Sequence, residues 1–374
     1  MKKRIVVFAV IVLLALVGCD SGGKNQDYNS EEKDIVKIGA ILPLTGDAAI
    51  YGQAMKKGLQ LAFEESIIKN SIKLLLEDDM GKSLQATNAG QLLVSKHVNV
   101  IIGGAQSKTA DVLIPIIIKN EIPMISPGAS AIDFDKISPF FFRLWPSDSY
   151  DGKIMADLVV KKLSIRDIAV FYTNSKYGEG IKKVFENIVK GNNGNILFSE
   201  PFSEGVKDFR TQILKIKQSG AKAVFIPGYF AEVSLILKQI KEFNIDIKIL
   251  GTSSFHDDKL LDYLGESMEG VVFSFPEFDI ESENNVVKEF SIKYTTRFNM
   301  KPDLWAALTY DCFKVIEKAL INGARSPKEI QKELLMIKDY LGVGGTFSFD
   351  EDGNVVKSFS ILTVKNGHFV KYYK

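Results

Sequence analysis

Residues 36–63 read VKIGAILPLTGDAAIYGQAMKKGLQLAF, and two periodicities meet in them. Val36–Leu42 is a short run containing Val and Ile and reads as a strand. Met55, Leu59, Ala62 and Phe63 then recur at i, i+4, i+7 and i+8, the spacing of one apolar helix face. The alternation continues outward. Residues 72–76 read as a strand, a helix carries Ala86, Ala89, Leu92 and Leu93, 98–102 is a strand, 109–118 a helix and 122–125 a strand. After a break, 140–144 is a strand, Trp145-Pro146-Ser147-Asp148 a turn, and a helix through Ile154, Leu158 and Val159 leads to strand 168–172. Helix 177–189, strand 223–226, helix 231–243, strands 247–250 and 271–275, and helices 285–298 and 304–320 follow. Strand–helix alternation predicts parallel sheets covered on both faces, and two such blocks predict two α/β lobes. The tail differs. Residues 346–349, 355–364 and 368–372 read as antiparallel strands, with the hairpin dipeptides Asp352-Gly353 and Asn366-Gly367 between them. No internal sequence repeat is visible.

Composition narrows the function. The 374 residues are 46% hydrophobic and 25% charged, with a formal net charge of +1, which suits about two globular domains. No basic block lies beyond the extreme N-terminus, so nucleic acid is not an expected partner. Cys19 and Cys312 are the two cysteines, too few for a disulfide framework or a four-thiolate zinc site. No metal or other cofactor is expected.

The N-terminus carries an export signal. Lys2, Lys3 and Arg4 precede a 13-residue apolar run, residues 5–17, shorter than the roughly 20 residues of a spanning helix. The run ends in Leu16-Val17-Gly18-Cys19, which resembles the lipobox of bacterial lipoproteins. This implies a signal peptide over 1–18, a lipid on Cys19 and a membrane-anchored protein facing the periplasm or exterior. Removing 1–18 takes three positive charges and moves the net charge from +1 to −2. Residues 20–34 are rich in Ser, Gly, Asn, Lys and acidic residues and read as a flexible tether.

Ligands of open parallel sheets bind beyond the carboxyl ends of the strands. The segments there are Pro43-Leu44-Thr45-Gly46 with Tyr51-Gly52, Gly103-Gly104-Ala105-Gln106-Ser107, Ser126-Pro127-Gly128-Ala129-Ser130, Tyr177-Gly178, Pro227-Gly228-Tyr229 and Gly251-Thr252-Ser253-Ser254. Any one of these is an ordinary turn or cap. Six together, three from each block, predict a shared cleft. Glycines admit close approach, hydroxyls at helix starts suit an anion, and tyrosines give an apolar wall with a polar tip.

The stretches IGAILPLTGDAAIYG, LLLEDDMGKSLQA, IIGGAQSKTA, IPMISPGAS, YTNSKYGEG, DFRTQILKIKQSGAKAVFIPGY and SMEGVVF together resemble the branched-chain amino-acid binding proteins, periplasmic binding proteins of type I. They run in family order over nearly the whole mature chain. The resemblance implies two doubly wound lobes joined by three crossovers, placed near 142–147, 275–278 and 344–347. The lobes would be 35–145 with 276–345, and 146–275 with 346–374. It also implies a non-enzymatic solute-binding protein serving the permease and ATPase of an ABC importer. Carried over residue by residue, Ser107 would hold a ligand carboxylate. Gly128 and Ser130 would add backbone and hydroxyl contacts, and Tyr51, Tyr177 and Tyr229 the aromatic ones. Amino-acid binders of this family carry a carboxylate for the ligand ammonium where this chain has Ser253. Asp257 and Asp258 lie four and five residues further on. An unpartnered buried ammonium is costly, so the ligand classes left open are an amino acid, an amide, an aromatic or aliphatic acid, or a peptide-like molecule.

Enzyme signatures are weak. The histidines His97, His256 and His368 form no HExxH, and no GxSxG elbow occurs. Gly81-Lys82-Ser83 has Leu76 where a phosphate loop needs glycine, Glu77-Asp78-Asp79 reads as surface or hinge structure, and Cys312 reads as core. The alternative to transport is a sensing or regulatory lipoprotein acting on an envelope protein such as a cell-wall synthase, because the resembling fold serves that role too.

Overall fold

The computed structural model describes residues 35–276, 278–355, 357 and 359–372. Cys19 and the segments that read as an export signal and a tether lie outside them. The first sheet holds β1 (Val36–Leu42), β2 (Ile72–Asp78), β3 (Val100–Gly103), β4 (Met124–Ser126) and β5 (Phe141–Arg143), all parallel, in the order β2-β1-β3-β4-β5. Its connecting helices are α1 (Ala49–Glu64), α2 (Ser83–Ser95) and α3 (Ser107–Asn120). β3 is buried along its whole length, as expected of a parallel strand covered on both faces.

The chain then enters a second sheet through α4 (Asp148–Asp157). It continues through β6 (Asp167–Thr173), α5 (Lys176–Gly191), β7 (Asn195–Phe202), α6 (Arg210–Ser219) and β8 (Ala223–Phe225) to α7 (Phe230–Glu242), β9 (Lys248–Gly251), α8 (Asp258–Leu264) and β10 (Val272–Pro276). The parallel part runs β7-β6-β8-β9-β10. This is the order of the first sheet again, so one doubly wound topology is built twice without a sequence repeat. After β10 come α9 (Asn285–Phe298), α10 (Leu304–Ile321), α11 (Pro327–Leu335) and the hairpin β11 (Tyr340–Gly342) with β12 (Gly345–Phe347). α10 lies on α1 so closely that a Cβ on Gly58 would sit 2.1 Å from the Ala306 carbonyl oxygen. Finally β13 (Phe359–Lys365) and β14 (His368–Lys371) extend the second sheet antiparallel to β10. Asn366 and Gly367, with φ of 53° and 70°, form the tight turn between them, as the dipeptide predicts.

The third crossing differs from the expectation of 344–347. Gly345–Phe347 is one strand of the hairpin. Phe349 packs edge-on against Phe142 at 5.2 Å, and the Gly353 carbonyl accepts the Arg143 amide at 3.1 Å. The chain therefore stays against β5 through Asn354 and joins the second sheet only at β13. Arg143, fully buried, makes this attachment. Its Nε donates to Asn354 Oδ1 (2.8 Å), one terminal nitrogen donates to the Ala131 carbonyl (2.9 Å), and the other pairs with Asp135.

β7, α6, α11 and β11 extend the alternation read from sequence. β7 is an edge strand whose residues alternate between exposed and half-buried, so it lacks the continuous apolar run of its neighbours. α11 does carry a start signal. Ser326 and Glu329 form a capping box around Pro327. No helix among the described residues is long and apolar enough to cross a membrane.

Candidate functional site

In a sheet ordered 2-1-3-4-5 the crevice opens where the order reverses, between the first and third strands. Both sheets present that edge to one cavity. Tyr51 comes from the segment after β1, Ala105, Gln106 and Ser107 from the one after β3, and Gly128 and Ser130 from the one after β4. The second sheet supplies the matching positions: Tyr177 after β6, Gly228 and Tyr229 after β8, Ser253 and Ser254 after β9. All seven ligand-contact candidates, Tyr51, Ser107, Gly128, Ser130, Tyr177, Tyr229 and Ser253, thus line one cavity. Its free volume is about 40 Å³, room for a few waters, so a larger ligand enters when the two sheets move apart.

Two serines stitch the first sheet's loops together. Ser126 Oγ donates to the Gly104 carbonyl (2.7 Å) and accepts the Gly128 and Ala129 amides (3.3 and 2.8 Å). Ser107 Oγ accepts the Ser130 and Ala131 amides (3.2 and 3.1 Å). With its acceptor capacity used this way, the Ser107 hydroxyl offers its proton to a ligand. Asp78 anchors the neighbouring loop, accepting the Leu44 and Met80 amides (both 2.8 Å) and the Thr45 hydroxyl (2.6 Å). The acidic run at Glu77–Asp79 is therefore loop scaffolding beside the cavity.

The aromatic wall is larger than the sequence indicates. Trp145 and Trp305, the only two tryptophans of the chain, both line the cavity. They stack on each other at 4.5 Å and 16°, and Trp305 meets Tyr51 at 4.9 Å. Opposite them Tyr177 and Tyr229 stack at 5.3 Å and 28°. Trp145 lies in the first crossing and Trp305 at the start of α10. Trp145 follows β5 but stands in a segment that reads from sequence as a turn, and Trp305 follows no strand of either parallel sheet; their rarity was the available signal. A Cβ on Gly128 would fall 2.6 Å from the Trp305 ring and 2.5 Å from the Ala105 carbonyl oxygen, so only glycine lets this loop pass beneath the indole.

The two sheets also touch across the cleft. The Phe230 amide donates to Tyr51 Oη (3.2 Å), Lys176 pairs with Asp111 (2.6 Å), and Lys108 pairs with Glu204 while lying 5.4 Å from the Tyr229 ring centre. Tyr177 Oη shares a 2.7 Å hydrogen bond with Thr252. Burial pushes the phenols of Tyr51, Tyr177 and Tyr229 up, so at neutral pH all three are protonated.

Asp257 caps α8, accepting the Lys259 and Leu260 amides (2.8 and 3.2 Å), and Asp258 begins that helix. Neither lines the cavity. His256 is stacked between Phe275 and Phe369 at 4.0 and 4.5 Å, where burial pushes its pKa down to about 4. Cys312 is buried in α10 as a free thiol. Among the described residues no cluster of His, Cys, Asp or Glu is arranged to hold a metal ion.

Several buried carboxyls titrate unusually high. Burial pushes Asp148 up to about 7, against the opposing pull of the Ser130 hydroxyl and Arg143. Burial likewise raises Asp79, Asp303 and Asp311 to about 6 and holds Asp151 well above the carboxylate range. A raised carboxyl pKa means the folded state binds protons more tightly than the unfolded one. Its stabilisation is full below the unfolded value and lost as pH rises through the folded value. His256, with its lowered pKa, acts in the opposite direction between about 6.5 and 4. Five carboxyls outweigh one imidazole, so the melting temperature should be higher at pH 5.5 than at pH 7.5. Asp148→Asn should flatten that slope. Melting curves across the range check this, and a rise in stability towards pH 7.5 would refute it.

Comparison with known proteins agrees with this architecture. The family profile described as periplasmic binding protein matches residues 35–368. The leucine-, isoleucine-, valine-, threonine- and alanine-binding protein of Pseudomonas aeruginosa is 25% identical over 344 residues, covering 90% of each chain. The solved leucine-binding protein of Thermotoga maritima superposes with a TM-score of 0.84 at 27% identity, over 90% of this chain and 97% of that one. The branched-chain amino acid transporter substrate-binding protein of Streptococcus pneumoniae, solved with isoleucine, gives 0.82 at 30% identity over the same shares. These relatives are solute-binding proteins and not enzymes.

Proposed function

The chain belongs to the periplasmic binding protein family, and from that premise we propose that it captures a small carboxylate-bearing molecule in the cavity between its lobes for an ABC importer. The observation that carries this reading is the convergence of donors. α1, α3, α5 and α7 all begin at the cavity, through Tyr51, Ser107, Tyr177 and Tyr229. Helix N-termini carry free N–H groups and partial positive charge, so an anion is favoured there. The Ser107 hydroxyl, the Ser130 hydroxyl and the backbone at Gly128 form the carboxylate end, and the tyrosines close over the remainder. Closure uses the Tyr51–Phe230, Lys108–Glu204 and Lys176–Asp111 contacts, and the permease, with its ATPase, reads the closed shape.

Both tryptophans touch the ligand space, so binding should change the intrinsic fluorescence. A titration against carboxylates tests the reading. Ser107→Ala should weaken binding about 10–100-fold, the worth of one hydrogen bond to a charged group at ~1.5–3 kcal/mol. An unchanged affinity would sink the assignment. The lipid anchor at Cys19 is the second part of the proposal, supported by the order of charged, apolar and Leu-Val-Gly-Cys segments. Labelled palmitate should enter the wild-type protein and not Cys19→Ser; equal labelling would refute the anchor.

A further inference from the structure

We infer that the ligand of this cavity is a carboxylic acid with a planar aromatic body and no ammonium group. The inference rests on the carboxylate reading above and narrows it. Among the thirteen residues that line the cavity none is Asp, Glu, Lys, Arg or His. Five are Trp or Tyr, and the rest are Ser, Gly, Ala and Gln. An α-amino acid brings two opposite charges that need separate partners, and this wall answers only one of them. Four helix N-termini and the serine hydroxyls suit the carboxylate. The same partial positive charge opposes an ammonium, and no anionic side chain offsets that opposition.

Three of the acids near the cavity are committed to other contacts. Asp257 and Asp303 each cap a helix, Asp303 accepting the Ala306 amide at 2.8 Å. Asp151 accepts the Ser274 hydroxyl. Asp148, whose backbone amide donates to the Ser130 carbonyl (2.8 Å), keeps one buried carboxyl oxygen without a partner but lies outside the lining set. After β9 the wall carries the neutral hydroxyls of Ser253 and Ser254. The apolar part of the wall also has a shape. The tilted Tyr51–Trp305–Trp145 cluster faces the stacked Tyr177–Tyr229 pair, and flat rings fit flat rings by offset or edge-on contact.

The test is calorimetric titration of the intact exported chain with matched pairs that differ only in the amine: 3-phenylpropanoate against phenylalanine, and 4-methylpentanoate against leucine. The amine-free acid should bind at least tenfold more tightly in each pair, and the aromatic acid more tightly than the aliphatic one. Ser253→Asp should shift the preference back towards the amino acid. Tighter or equal binding of the amino acids overturns this inference and leaves the carboxylate reading standing. Loss of that amino-acid binding in Asp148→Asn would then identify the counter-charge. A preference for 4-methylpentanoate over 3-phenylpropanoate overturns the aromatic assignment. No binding by any of the four, in a protein that melts cooperatively, overturns the inference and the carboxylate reading together.

Discussion

Gly178→Ala is expected to destabilise the protein by about 3 kcal/mol, the upper end of overpacking costs, and to reduce ligand affinity at least tenfold. Gly178 is the third residue of α5, and its amide donates to the capping hydroxyl of Ser175 at 3.3 Å. A Cβ there would sit 2.0 Å from the Thr173 carbonyl oxygen and 2.9 Å from its carbonyl carbon. Both are backbone atoms at the end of β6, so no side chain can swing aside. The helix start must retreat, and Tyr177 retreats with it from Thr252 and Tyr229. Alanine ordinarily gains about 0.5–1 kcal/mol over glycine inside a helix, but a contact this short outweighs that gain. Gly191, in the last turn of the same helix, has nothing within 4 Å of its would-be Cβ. Gly191→Ala should therefore be neutral or mildly stabilising. Denaturant midpoints and a ligand titration on the two variants decide the matter. Equal stability of Gly178→Ala and wild type would show that the helix start tolerates the shift. Gly52 repeats the geometry in the first lobe, 2.0 Å from the Pro43 carbonyl oxygen.

That repetition marks what the sequence reveals and what it conceals. The Tyr-Gly pairs at 51–52 and 177–178 are visible, and so are the strand runs and helix stripes, because burial on both faces imposes continuous or i, i+4 apolarity. The rule that ligands meet strand ends then collects Tyr51, Ser107, Gly128, Ser130, Tyr177, Tyr229 and Ser253, which share one cavity. Trp145 obeys the rule, following β5, but its segment reads as a turn between the two blocks; Trp305 escapes the rule because a helix from the third pass of the chain delivers it over a sequence distance that no local pattern encodes. The edge strand β7 escapes for lack of an apolar run. The third crossing slides by about ten residues because Arg143, from a distant strand, holds Asn354 and Gly353 to the first sheet. Local periodicity does not register a buried guanidinium with partners in three segments.

Arg143→Ala is expected to cost about 3 kcal/mol, at the lower end of the ~3–5 kcal/mol for breaking a buried charged network. The side chain has no exposed surface and joins three segments: the Ala131 carbonyl of the cavity loop, Asp135 after it, and Asn354 of the third crossing. Asp135 is 38% exposed, so water recovers part of its loss and the ion pair itself counts for little. Most of the cost comes from the Ala131 and Asn354 acceptors, left unpaired around a side-chain-sized void. Lysine cannot replace the fork, because one ammonium on a flexible stem does not reach three acceptors in a plane. Arg143→Lys should therefore recover less than half of the loss. The denaturant midpoint should fall with little change in slope, since the folded state loses bonds without changing the area that unfolding exposes. Ligand affinity should fall as well, because the loop carrying Gly128 and Ser130 continues directly into Ala131. A variant with wild-type midpoint and wild-type affinity would mean that the first and third crossings hold the cleft without this residue. The hinge would then depend on the backbone bond from Arg143 to Gly353 and on the packing of Phe142 against Phe349.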